Sequence, residues 1–154
     1  MLRRMDAAQA LADLTEISSQ IVQVAILDRD GSALATTVPD PGRAERFVAS
    51  VARLVREAET LAQSRGLPGL GQIEAATLDG SVFAVRRDGR LIVATTRPDP
   101  TVGLVFYDLK HCLGSVEDAA GAAPRADGSA NGAQGTTRAS GAPRQTRKKA
   151  DGSA

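Results

Sequence analysis

Apolar residues near the start of this chain recur at helical spacing, at Ala8, Leu11, Leu14 and Ile17, which predicts a helix over about residues 6–19. The spacing then shortens into two strand-like runs, "IVQVAIL" at 21–27 and "ALATT" at 33–37, separated by Asp30-Gly31. Helical spacing returns over about residues 41–65. There the apolar positions form two adjoining seams, 47, 51, 54, 58, 61 and 44, 48, 51, 55, 58, 62. A stripe that wide covers a sheet and leaves a flank over. Three more short runs follow, "QIEAATL" at 72–78, "SVFAVR" at 81–86 and "RLIVATT" at 90–96, split by Asp79-Gly80 and Asp88-Gly89. A last helical face, about residues 100–118, carries Val102, Val105, Phe106, Leu109, Cys112, Leu113 and Val116.

Two stretches nearly repeat: "RDGSALATTVPDPG" from Arg29 and "RDGRLIVATTRPDPTVG" from Arg87. Asp-Gly between apolar runs signals a tight hairpin, because a type I′ turn needs positive φ at both central positions. Asp-Pro after each Ala-Thr-Thr signals a helix start, with Asp40 and Asp99 accepting from free amides and Pro41 and Pro100 at the first helical position. Gly66 reads as the left-handed cap that stops the long helix. The repeat therefore marks strands that hand over to helices, not duplicated chemistry.

Strand order follows from burial. "VAIL" and "LIVA" are continuously apolar and suit central strands covered on both faces. "QIEAATL" alternates and "ALATT" is short, so both suit edges. The chain must then cross four inter-strand gaps, about 19 Å at about 4.8 Å each, and a 25-residue helix of about 37 Å spans that easily. The expected fold is α+β: a five-stranded antiparallel sheet in the order 2-1-5-4-3, with helices in the sequence α-ββ-α-βββ-α.

These residues resemble the roadblock/dynein-light-chain domains over about residues 6–118. The resemblance rests on "VAILDRDGSALATT", on the long capped helix, and on "GRLIVATTRPDPTVGLVFYDLKHCL", where the final strand enters the last helix. It implies a homodimer with the long helices side by side and the third strands paired into one shared sheet. Carried onto this chain, the dimer contacts fall on Phe47, Val51, Leu54, Ala58 and Leu61 of the helix and Gln72, Glu74 and Ala76 of the edge strand. The family binds Ras-like small GTPases or scaffolds larger complexes, so the resemblance implies a non-catalytic interaction protein. Arg46, Arg53 and Arg56 on the long helix are candidate GTPase contacts, one of them conceivable as an arginine finger. The blander reading pairs them with Glu45, Glu57 or Glu59 on a solvated face. A second function class is a small ligand-sensing domain of PAS or GAF type, which needs a cavity with converging polar groups.

Composition narrows this further. The chain has 154 residues, 3% aromatics and no Trp, so its core rests on aliphatic side chains. From Ala120 onward there is no Val, Ile, Leu, Met or aromatic residue, and six basic residues face Asp127 and Asp151. The expected division is a roadblock-like domain at 1–119, mildly acidic, and a disordered basic Ala/Gly-rich tail at 120–154. Without aromatics for stacking, "PRQTRKK" reads as a solubilising tail and argues against a nucleic-acid partner. The lone Cys112 points to a reducing compartment, and the absence of a membrane-length apolar run adds to a cytoplasmic expectation.

Candidate chemistry is thin. No Gly-x-x-x-x-Gly-Lys-Ser/Thr phosphate loop occurs, and "GLPGLG" at 66–71 follows a helix instead of opening one, so it reads as a connector. His111 is the only histidine, which leaves neither a metal-ligand set nor a serine triad with any spacing to recommend it. His111 is expected at the surface and Cys112 in the core. No catalytic, cofactor or metal residue is assigned.

Overall fold

In the computed structural model, which describes residues 5–116, eight elements follow in order. They are α1 (Ala7–Ile17), β1 (Ile21–Leu27), β2 (Ala33–Thr36), α2 (Pro41–Ser64), β3 (Gln72–Thr77), β4 (Gly80–Arg87), β5 (Arg90–Thr96) and α3 (Val102–Ser115). The five strands form one sheet in the order β2-β1-β5-β4-β3, antiparallel at every pairing. That is the order expected from burial. The tail assigned to 120–154 lies outside the described residues.

The central runs are apolar throughout because helices cover both sheet faces. Val24, Ile26, Phe83, Val85, Ile92 and Ala94 face α1 and α3, which supply Leu11, Leu14, Val105 and Leu109. Ala25, Leu27, Ala84, Leu91 and Val93 face α2 through Val51 and Val55. Phe83, fully buried, meets Phe106 edge-on with ring centroids 5.0 Å apart. Two of the four aromatics thus meet in the thicker layer, where a large side chain fills most volume.

Helix α2 is bounded as the sequence predicts. The Asp40 carboxylate accepts from the Arg43 amide at 2.7 Å and Pro41 opens the helix. At the other end Gly66 takes φ +67, and the Gly66 and Leu67 amides donate to the Gln63 and Ala62 carbonyls at 2.9 and 3.0 Å. This double bond pattern closes the last turn and needs the left-handed residue that glycine supplies.

Helix α3 departs from the expectation. Its N-cap is Thr101, whose side chain makes no capping bond, and Asp99 sits two residues before that cap at φ +54. The second Asp-Pro therefore shapes a turn and caps nothing. The free Thr101 amide donates instead to the side-chain oxygen of Gln20, from the α1–β1 connection. A tertiary contact has replaced the local cap.

The Asp-Gly turns also differ among themselves. Asp88 and Gly89 both have positive φ, +52 and +80, and make the expected tight turn. At the first hairpin only Gly31 does. There the Asp28 carboxylate accepts from the Asp30 and Ser32 amides, both at 2.9 Å, and holds a longer loop. At β3–β4 the register pairs Thr77 with Gly80, so Leu78 and Asp79 form the turn and Gly80 belongs to the strand. There Gly80 is irreplaceable: its φ is +143, and a Cβ would lie 2.1 Å from the Thr96 carbonyl oxygen.

Candidate interaction surface

Side-chain burial along α2 is unequal. Of its 24 residues only Val51, Val55 and Ala62 are buried. Phe47, Val48, Leu54 and Ala58 are half-buried, and Leu61 is 61% exposed. The seam anticipated as one unit thus divides. Val51 joins the chain's own core, and Phe47 packs against that core. Leu54, Ala58 and Leu61 recur at i, i+4 and i+7 and share one flank at successive turns. Just beyond the helix Leu67 is 57% exposed.

Strand β3 pairs with β4 alone and leaves an open edge. The Arg86 amide donates to the Gly71 carbonyl at 2.9 Å, so residues 71 and 86 are a hydrogen-bonded pair. Pairing alternates along an antiparallel ladder. Register then makes Ile73 with Ala84 and Ala75 with Val82 the next bonded pairs. The N–H and C=O groups of Gln72, Glu74 and Ala76 therefore point away from the sheet, towards whatever lies beside it. All three side chains are exposed, while Ile73 and Ala75 are half-buried. An open edge of this kind is a template for another strand.

The candidate arginines are exposed. By helical position Arg46 and Arg53 point away from the sheet, and Arg56 lies on the flank opposite Leu54. Neighbouring glutamates do not neutralise them. Glu59 pairs with Arg86 of β4 at 2.8 Å, and among the described residues no ion pair involves Arg46, Arg53 or Arg56. The pairing with Glu45, Glu57 or Glu59 expected from sequence is not formed among the described residues, and Glu59 reaches the sheet instead.

Elsewhere the side chains fall as anticipated. His111 is exposed and stacks on Tyr107, ring centroids 6.3 Å apart. Cys112 is buried, donates to the Ala10 carbonyl at 3.4 Å, and its thiol is pushed up to about 12, first by burial and then by the charge of Asp13. Among the described residues no cluster of His, Cys, Asp and Glu is placed to hold a metal ion, and no helix is long and apolar enough to cross a membrane. Phe83, Leu14, Ile92 and Leu109 are fully buried between the sheet and α1 and α3.

Sequence reasoning missed one feature. A trough runs between α2 and the β1–β2 turn, with Ala44, Val48, Ala49 and Ala52 along it. Its only trace in the chain is the row of small residues on one flank of the helix.

The sheet is covered on both faces, α2 is left broadly bare, and the β3 edge is open. No protein-family model and no curated protein matches the sequence. Solved structures do match its shape. A roadblock/LC7 domain from Streptomyces avermitilis superposes with a TM-score of 0.65 at 14% identity, over 72% of this chain and 94% of that one. MglB from Myxococcus xanthus gives 0.56 at 14% identity, over 71% and 80%. A structure described as MglB with a tetrameric arrangement gives 0.59 at 17% identity, over 69% and 81%. The chain has the roadblock/LC7 fold.

Proposed function

We propose that this protein is a non-catalytic, dimeric interaction protein that binds and regulates or scaffolds a Ras-like small GTPase. The observation that carries the reading is the pairing of two unfilled surfaces: the Leu54–Ala58–Leu61 flank of α2 and the open backbone edge at Gln72, Glu74 and Ala76. A second copy fills both at once, helix beside helix and strand beside strand. Phe47 contributes the outer rim of the helix contact, and Val51 supports it from beneath. The roadblock fold supports this reading, as does the self-association named for one MglB structure.

The GTPase assignment extends the resemblance carried by residues 6–118. Arg46, Arg53 and Arg56 are exposed cations without ion-pair partners among the described residues, available to an acidic or phosphate-bearing surface. Regulation requires unequal affinity for two nucleotide states, because a partner shifts that equilibrium only by its differential binding. The reading places the protein in the cytoplasm, where such GTPases work.

Two measurements test it. Solution mass at micromolar concentration should be twice the 16.0 kDa of one chain. Titration against the small GTPase encoded nearest to it, loaded in turn with GTP and GDP, should give affinities that differ at least severalfold. A single-chain mass removes the dimer, and equal or absent binding removes the regulatory role.

A further inference from the structure

The open edge of β3 carries a charge at its midpoint. The self-pairing proposed above is two-fold symmetric, so the same groups meet from both copies. An axis perpendicular to the sheet keeps the two α2 helices on one face, and it sets β3 antiparallel to its copy.

Backbone groups then decide the register. Those that point outward belong to Gln72, Glu74 and Ala76, within a strand that runs Gln72–Thr77. All three are bonded on both copies only when residue 72 meets residue 76 of the second copy and 74 meets 74. Sliding one strand by two residues in either direction leaves Gln72 or Ala76 without a bonded partner inside β3. The fully bonded register sets Glu74 opposite its own copy, with Cα atoms about 5.5 Å apart.

Both carboxylates then share one face. Glu74 is directly opposite Phe83 of β4, and Phe83 faces α1 and α3, so Glu74 projects on that side and away from α2. No cation is committed to it. Glu74 is exposed and makes no ion pair among the described residues, and it is the only charged residue in 72–76. Lys110 of α3 lies over the Phe106 ring, 5.9 Å from its centroid, and Arg87 pairs with Asp88 at 3.3 Å.

We infer that Glu74 sets partner choice at this edge: it weakens pairing with a second copy and favours a strand presenting Lys or Arg at the same place, from another chain of this fold. The inference rests on the strand pairing under Proposed function. Like charges directly opposed across two strands weaken the pair and opposite charges strengthen it, each by about 1.4- to 5-fold. The two effects combine when one of the two glutamates becomes a cation. Backbone bonding and the α2 contact are the same in either case, so the side chain at 74 alone separates the partners.

The test mixes nitrogen-15-labelled parent with an equal amount of unlabelled Glu74→Lys, at a concentration where the parent is dimeric, and counts dimers by native mass spectrometry. Random pairing of equivalent copies gives about half mixed dimers. An opposed Glu–Lys pair should raise the mixed fraction to about three quarters or more. Gln72→Lys in place of Glu74→Lys should return about half, because residue 72 does not meet its own copy. Glu74→Gln alone should self-associate about two- to fivefold more tightly than the parent in sedimentation equilibrium. A mixed fraction near one half with Glu74→Lys, or a Glu74→Gln dimer no tighter than the parent, would overturn the inference and leave the dimer standing. Parent and variants all at single-chain mass would remove the dimer itself and this inference with it.

Discussion

Replacing Leu61 with Lys isolates what the bare flank of α2 is worth. Complete burial of a leucine side chain stabilises by about 1.5–3 kcal/mol. Leu61 is 61% exposed, so roughly 1–2 kcal/mol per copy is still to be gained when a second copy covers it. The contact is symmetric and the substitution enters twice, which gives about 2–4 kcal/mol. At about 1.4 kcal/mol per decade the dimer dissociation constant should rise roughly 30- to 700-fold. The fold itself should barely respond. Lys is a good helix former, its charge suits the C-terminal end of a helix, and exposed substitutions usually stay within about 0.5 kcal/mol. Sedimentation equilibrium across a concentration series gives the first quantity, and urea unfolding at a concentration where both proteins are monomeric gives the second. A dissociation constant shifted less than threefold would refute the reasoning. So would a loss of fold stability as large as the loss of association, since Leu61 would then be holding its own chain together.

Three further outcomes follow from other parts of the molecule. Ala76→Pro removes an outward-facing N–H that the single chain does not use, so it should weaken association at least tenfold while shifting the unfolding midpoint little, measured by the same two assays. Asp40→Ala should cost about 1 kcal/mol through the lost cap, whereas Asp99→Gly should stabilise by a few tenths to about 1 kcal/mol by relieving a left-handed aspartate, and equal effects in urea unfolding would contradict the different roles of the two Asp-Pro steps. Cys112 should resist a thiol-reactive disulfide at pH 8 until the chain unfolds. Because its folded value lies near 12 and its unfolded value near 9, the folded state holds the proton more tightly. Stability should therefore fall as pH rises from 9 towards 12, a loss absent in Cys112→Ala.

Much of the architecture was readable because two periods dominate the chain. Runs such as "VAIL" and "LIVA" are apolar at every position since α2 takes alternate residues and α1 with α3 take the rest, and this double cover fixed the strand order. Errors arose where local chemistry had competitors. Asp99-Pro100 resembles Asp40-Pro41 letter for letter, yet Gln20 reaches the amide that Asp99 would have capped. Asp79-Gly80 looks like a turn centre, but Gly80 is drawn into β4 by its close approach to Thr96. The width of the apolar stripe on α2 correctly signalled surplus surface, though periodicity could not say that Val51 would be withdrawn into the sheet and Leu61 left out. The trough was invisible because it exists only where a helix flank meets a loop from another part of the chain, and alanines at a helix surface carry no signal alone.

Unequal cladding of the sheet has a consequence for how the molecule breathes. One face is sealed by two helices with Leu11, Leu14, Leu109 and Leu113 locked beneath them, while the other depends on the few anchors of α2. That long helix should be the first part to come loose, well below the threshold for global unfolding. Deuterium should enter its amides before those of β1 and β5. Assembly then acts as a clasp: whatever settles on α2 also rivets it to the sheet, so rigidity and company arrive together.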